Sequence, residues 1–234
     1  MECLFDPDQP HFAVWIKLHD IDTVFRHSTF PLFVTFTKSG ATPLYYAALC
    51  GFHDLAQHLI VKNLQDVNAE GGRCLRPLVA ALAGRHFQTA ELLYRNGADP
   101  NVWGGIMVTP LHSATHCGDL EVVQKLIEYG ADVDAQDRRG RTPLYLSSQG
   151  VYLKDSAVVQ LLLDRGVDVN ARAKDGSTPL HMAARWGAMK VAPMLLEHGA
   201  NVGAKDDHDE TPLRYAEVRQ RHDMTKLLSE YGAK

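Results

Sequence analysis

Cysteine is scarce and scattered. Cys3, Cys50, Cys74 and Cys117 form no C-x-x-C pair and no zinc-type spacing, so neither a disulfide framework nor a metal site is indicated. No stretch approaches the ~18 apolar residues that a membrane span needs. The opening MECLFDPDQP is acidic and proline-bearing, without the basic and apolar regions of a secretory leader. There is no N-x-S/T sequon. A net charge of −4 lacks the basic excess of a chain devoted to nucleic-acid phosphate, although it leaves room for a local basic patch. Catalytic signatures are missing as well: no G-x-S-x-G, no H-E-x-x-H and no glycine-rich phosphate loop. These absences argue for a non-enzymatic protein without a cofactor or metal. They also argue against membrane association and nucleic-acid binding. The expected compartment is the cytoplasm, with the nucleus as the other one compatible with them.

What the chain does have is a folded composition and an internal period. Apolar residues make up 45% and charged residues 22% of its 234 positions, as in water-soluble folded chains. Pro43, Pro77, Pro110, Pro143, Pro179 and Pro212 each precede a leucine, at spacings of 34, 33, 33, 36 and 33. The text around them recurs: TPLYYAALCGF, RPLVAALAGRH, TPLHSATHCGD, TPLYLSSQGVY, TPLHMAARWGA, TPLRYAEVRQR. About twenty residues further on comes a second phrase, in the forms QDVNA, NGADPNV, YGADVDA, RGVDVNA and HGANVGA. A fixed period of this length is the mark of a stacked array.

Each unit reads as two helices and a turn. Thr-Pro supplies an N-cap and then an N1 residue whose missing N–H costs nothing. A short helix follows, with small residues such as Ala47, Ala48, Ala183 and Ala184 that let neighbours approach closely. Gly51, Gly118 and Gly187 break it. The second helix has apolar residues at helical spacing, as in LEVVQKLIEYG, and Gly97, Gly130, Gly166 and Gly199 end it. Three departures stand out. The second unit has Arg76 for Thr and no glycine at the break. The fourth carries three extra residues within SSQGVYLKDSAVV. Pro193 lies inside the second helix of the fifth, near its start, where it costs least.

On TPLH at Thr109–His112 and Thr178–His181, GADVDA at 130–135 and the sustained period of 33, the chain resembles the ankyrin-repeat family. The resemblance covers residues 37–234. It implies an all-α repeat solenoid: helix pairs with β-hairpin-like fingers, in a curved stack. The six repeats fall at about 37–69, 70–102, 103–135, 136–171, 172–204 and 205–234. Residues 1–36 read as a capping segment or degenerate repeat, because Pro10 lies 33 residues before Pro43. The alternative is an apolar extension without repeat geometry. LFDPDQPHFAVWIKLHDID at 4–22, followed by TPLYYAALCGF and DVNAEGG, is also similar to the start of the ankyrin array that follows the NACHT domain of large fungal receptors. No P-loop is present in this chain.

His112 and His116 stand four apart, which is ligand spacing, and DDHDE at 206–210 invites a cation. The simpler readings are a structural motif histidine and a solvated finger tip. The family resemblance instead implies a concave binding surface, made of finger tips and the exposed side of each first helix, that holds another protein, with the chain itself a monomer. Residues that break the pattern on that surface are the candidates. At the ends of the first helices these are His116, Gln149, Arg185 and Trp186. On the fingers they are Trp103 and Ile106 in NVWGGIMVT, Arg138, Arg139 and Arg141 in DRRGRT, and Lys174. A tryptophan beside an arginine is typical of an interface anchor. Packing of Trp186 over the next repeat, packing of Trp103 on the adjacent finger, and plain solvation of the arginines are the competing readings.

Overall fold

The computed structural model describes residues 42–62, 64–70, 76–102, 109–149 and 155–233. The expected cap at 1–36, Trp103, Ile106 and most of the long turn in the fourth repeat lie outside them. Among the described residues there are twelve helices and no strand. They are α1 (Pro43–Cys50), α2 (His53–Val61), α3 (Pro77–Ala83), α4 (Phe87–Arg95), α5 (Pro110–His116), α6 (Leu120–Glu128), α7 (Pro143–Ser147), α8 (Asp155–Asp164), α9 (Pro179–Trp186), α10 (Val191–Glu197), α11 (Pro212–Val218) and α12 (His222–Glu230). None is long and apolar enough to cross a membrane. The chain divides into two compact units, residues 1–106 and 107–234. The first holds the pairs α1–α2 and α3–α4, and the second the remaining four pairs.

Odd-numbered helices begin at Thr-Pro, or at Arg76-Pro77 in the second repeat, and within each unit form an inner layer; even-numbered helices form an outer one. In the second unit α5 packs on α7, α7 on α9 and α9 on α11, while α6 packs on α8 and α8 on α10. In the first, α1 packs on α3 and α2 on α4. Ala47, Ala48, Ala80, Ala81, Ala183 and Ala184 are all buried between inner helices, as their small size requires. The leucine after each proline is sealed in at Leu44, Leu78, Leu111, Leu144 and Leu180, and each outer helix buries one more, from Leu59 to Leu228. Each such leucine contributes about 1.5–3 kcal/mol. Leu213 in the last repeat is only half-buried, and Arg219, Gln220, Arg221 and Asp223 around it are exposed. The sixth repeat thus keeps one exposed face. Pro193 is the third residue of α10, where its missing N–H would have had no partner within the helix.

The turn after each outer helix needs one left-handed residue. Gly97, Gly130, Gly166, Gly199 and Gly232 supply it with φ between 73° and 90°. In the first repeat the same register position is Leu64, with φ 48° and 86% exposure. An L-residue there carries a steric penalty of about 1–2 kcal/mol that glycine avoids. The break between the two helices shows the same substitution: Gly51, Gly118 and Gly187 are left-handed, and so are Arg85 (φ 60°) and Gln220 (φ 55°). The second repeat therefore lacks the glycine but keeps the turn.

The Asp/Asn-rich phrase forms a second, polar seam. In the first five repeats the first side chain caps its own turn: Asp66 accepts from the Asn68 N–H, Asp99 from Asn101, Asp132 from Asp134, Asp168 from Asn170 and Asn201 from Gly203. The residue two positions on then reaches the next repeat. Asn68 accepts from the Asp99 N–H at 2.9 Å and donates to the Gly97 carbonyl at 2.9 Å. Asn170 does the same with Asn201 and Gly199, at 2.8 and 3.0 Å. Asp134 accepts from the Asp168 N–H at 3.1 Å, but a carboxylate has no proton to give to the Gly166 carbonyl.

Two stability changes are expected. Leu64→Gly raises the unfolding free energy by about 1 kcal/mol, and Asp134→Asn raises it by about 0.5–1.5 kcal/mol through the added hydrogen bond. Urea titrations of the two single variants against the parent measure both. A loss of stability in Leu64→Gly would mean that the exposed leucine is held by contacts that outweigh its strain.

Candidate functional site

The fingers between repeats are tight turns built on carboxylates. Asp137 accepts from the N–H groups of Arg139 and Arg141 at 2.8 and 2.9 Å, and its other oxygen takes the Arg141 guanidinium at 2.7 Å. Asp206 accepts from the N–H groups of His208 and Glu210, both at 2.9 Å, and from the Tyr215 hydroxyl at 2.8 Å. Burial alone would raise both carboxyls, but these donors outweigh it and hold each below the ordinary carboxylate range. Finger joins finger through the Lys174 N–H on the Arg139 carbonyl at 2.8 Å and the Asp207 N–H on the Asp175 carbonyl at 3.0 Å.

Inner helices are tied to these fingers by one residue, the fourth of the Thr-Pro-Leu-x motif. His112 Nε2 donates to the Arg141 carbonyl at 2.8 Å, and His181 Nε2 to the Glu210 carbonyl at 3.1 Å. A carbonyl can only accept, so each ring carries its proton on Nε2. Nδ1 then accepts, from the Thr109 hydroxyl at 2.8 Å and, for His181, from the Thr178 N–H at 3.0 Å. In the fourth repeat Tyr145 takes the position, and its hydroxyl meets the Ser177 hydroxyl at 2.9 Å. Arg141, Ser177 and Glu210 each stand immediately before the next repeat's threonine. With both ring nitrogens engaged, His112 cannot ligate a metal alongside His116. Among the described residues no cluster of His, Cys, Asp or Glu is arranged to hold one.

The remaining chemistry-bearing groups are quiet. Burial raises the Cys50 thiol, and burial with the Asp119 charge pushes Cys117 up to about 11, the opposite of a reactive cysteine. In the acidic finger tip Asp207 pairs with Arg172 at 3.3 Å and Asp209 with Lys205 at 3.2 Å, so the DDHDE run is largely matched by its neighbours.

The sequence candidates separate clearly. Arg141 is committed to Asp137, with its guanidinium serving the finger. His116 is half-buried, its imidazole lowered by burial and by the Arg141 charge. Gln149 is half-buried. Arg138, Arg139 and Lys174 project from the fingers into solvent, and Arg185 is partly exposed. Trp186 ends α9 with 47% of its surface open. The same register position holds the half-buried Cys50, Gly84 and Cys117 in earlier repeats. Met189, at 41% exposure, and Val218, at 58%, are not among the sequence candidates. Neither is Arg221, whose side-chain stem lies against Gly187, where an added Cβ would stand 3.1 Å from Arg221 Cδ.

Paired helices joined by hydrogen-bonded fingers and stacked at a 33-residue period define a helical repeat protein of the kind that presents a surface rather than encloses a site. Family models for ankyrin repeats match residues 39–71, 78–173 and 148–234. The chain belongs to the ankyrin-repeat family, whose members generally mediate protein–protein interactions. No curated protein matches it.

The buried histidines make the array acid-sensitive. Burial lowers both His112 and His181 below the ordinary 6.5, more than their carbonyl partners raise them. A depressed folded value means that the unfolded chain takes up the proton first. The stabilisation is then complete above about pH 6.5 and lost as the pH falls below it. Asp137 and Asp206 add a further loss only below the ordinary carboxylate value of 3.8. The urea midpoint is therefore expected to drop between about pH 7.5 and pH 5.5. His181→Asn should be less stable at the higher pH and show a smaller drop. An unchanged slope in that variant would refute the assignment.

Proposed function

We propose that the chain is a non-enzymatic scaffold that holds a protein partner on the concave side of its repeats, with the binding surface made by fingers four and five and the ends of the inner helices. The observation that carries this reading is Trp186, a large aromatic exposed where the first three repeats place half-buried Cys50, Gly84 and Cys117. Arg138, Arg139, Lys174 and Arg185 flank the same side and belong to the proposed surface, as do Gln149 and His116 at its edge. Trp103 and Ile106 would extend it on the third finger. Fingers held by Asp137 and Asp206 are ordered before a partner arrives, so little conformational freedom is lost on binding. The six-repeat division with an N-terminal cap, a monomeric state and a cytoplasmic or nuclear location complete the proposal.

The text at residues 4–22 favours one more specific version, in which the array is the ligand-sensing arm of a fungal NACHT-type receptor. A nucleotide-binding domain encoded upstream in the same gene would support it.

A lysate pull-down tests the main reading. The wild type should retain a specific protein that Trp186→Ala and Trp103→Ala/Trp186→Ala lose, while Val61→Ser, an exposed apolar change in the first unit, keeps it. Unaltered circular dichroism and melting must accompany the loss. Retention of the same protein by the folded tryptophan variants would move the surface elsewhere.

A further inference from the structure

Several cations of the second unit stand outside its ion pairs. Arg141, Arg172, Lys205 and Arg214 are paired with Asp137, Asp207, Asp209 and Glu217. Among the described residues Arg138, Arg139, Lys174, Arg185, Arg219 and Arg221 form no ion pair. All but Arg185 are exposed, and Arg185 partly so. Asp207 and Asp209 of the acidic finger tip are matched by cations of the protein itself, while these six cations are not matched by carboxylates. Asp223 follows Arg221 by two residues and lies on the first turn of α12, where the helix dipole favours it.

Three of these cations neighbour exposed apolar side chains. Trp186 ends α9, Met189 follows it, and Val218 ends α11, which packs directly on α9. All three are more than 40% exposed. Arg185 precedes Trp186, Arg219 follows Val218, and the Arg221 stem lies on Gly187 beside the tryptophan. Apolar centre and cationic rim together match a ligand with an apolar side chain set among carboxylates.

We infer that the partner segment bound here is an acidic peptide: an extended stretch rich in Asp and Glu, with one apolar side chain covering Trp186, Met189 and Val218, and its carboxylates reaching Arg185, Arg219 and Arg221 and then the finger cations Arg138, Arg139 and Lys174. The inference rests on the concave-surface reading and adds the chemistry of the occupant. A nucleic acid fits worse. Met189 and Val218 offer no stacking face, and a continuous phosphate backbone could not avoid Asp175, Asp207 and Asp209 on the neighbouring fingers. Carboxylates spaced along a peptide can.

The test is selection of displayed random peptides on the full chain, with wild type, Trp186→Ala and Arg185→Glu/Arg219→Glu/Arg221→Glu compared in parallel and each confirmed folded by its melting curve. The expected result is enrichment of acid-rich peptides bearing one aromatic or aliphatic anchor. Their affinity should fall about tenfold or more in either variant, and also as salt is raised. Enrichment of neutral or basic peptides that still need Trp186 would overturn the acidic assignment and leave the concave surface standing. No enrichment, or enrichment indifferent to both variants, would overturn both. A synthetic acid-rich peptide displaced by single-stranded oligouridylate at equal charge concentration would also count against the inference.

Discussion

Everything in the second unit hangs on a hydrogen bond from one inner helix to the finger of the next repeat. His112 and His181 reach carbonyls, Tyr145 reaches a hydroxyl, and all three land on the residue just ahead of the following Thr-Pro. Helix stacking alone would leave the fingers as exposed loops with unpaired backbone groups. The bridge fixes where each finger stands relative to the helix before it, and the carboxylate of Asp137 or Asp206 then fixes its internal shape. The cost of placing a polar ring in a buried position is met because both nitrogens are satisfied. The same burial makes the ring intolerant of a second proton, so acid sensitivity and architectural role are one property.

The bridge also explains which candidate residues can serve a partner. An arginine that holds a finger cannot at the same time offer its guanidinium freely, and Arg141 is spent in this way. Its neighbours Arg138 and Arg139 contribute backbone to the same turn but leave their side chains outside. Function on such a scaffold is therefore a remainder. It lies in the side chains left over once caps, bridges and turn-holding carboxylates have been assigned. Trp186 is part of that remainder because nearly half of its surface stays open, and so are the exposed Met189 and Val218.

Much of this was legible in the sequence, for a clear reason. Thr-Pro caps, buried leucines and C′ glycines obey local rules that recur every 33 residues, so a period in the text is a period in space. The helix pairs and the structural role of His112 follow from register, whereas register left open whether Trp186 is exposed or packs on the next repeat. What escaped were positions where a different residue does the same work. Leu64 and Arg85 adopt the left-handed conformation without being glycine, and Tyr145 replaces a histidine bridge. Substitution hides these from a pattern search because the constraint acts on backbone angle or reach, not on residue identity. Ion pairing was equally hidden: nothing in DRRGRT distinguishes the arginine that folds back on Asp137 from the two that do not.

Strain and incomplete pairing are unevenly spread along the array. Leu64 and Arg85 lie in the first unit, as does the half-buried Arg76, whose Nε has no hydrogen-bond partner. Apart from the last repeat and the Asp134 position, the second unit carries the more regular turns and the complete set of bridges. A repeat array is stabilised by nearest-neighbour terms, so imperfect repeats lower the stability of their own segment first and leave regular ones standing. The exposed tryptophan and Arg138, Arg139, Lys174 and Arg185 sit on the regular segment. A surface that must hold its shape for a partner belongs where neighbouring repeats bond most fully, and the fingers from Asp137 to Glu210 satisfy that condition.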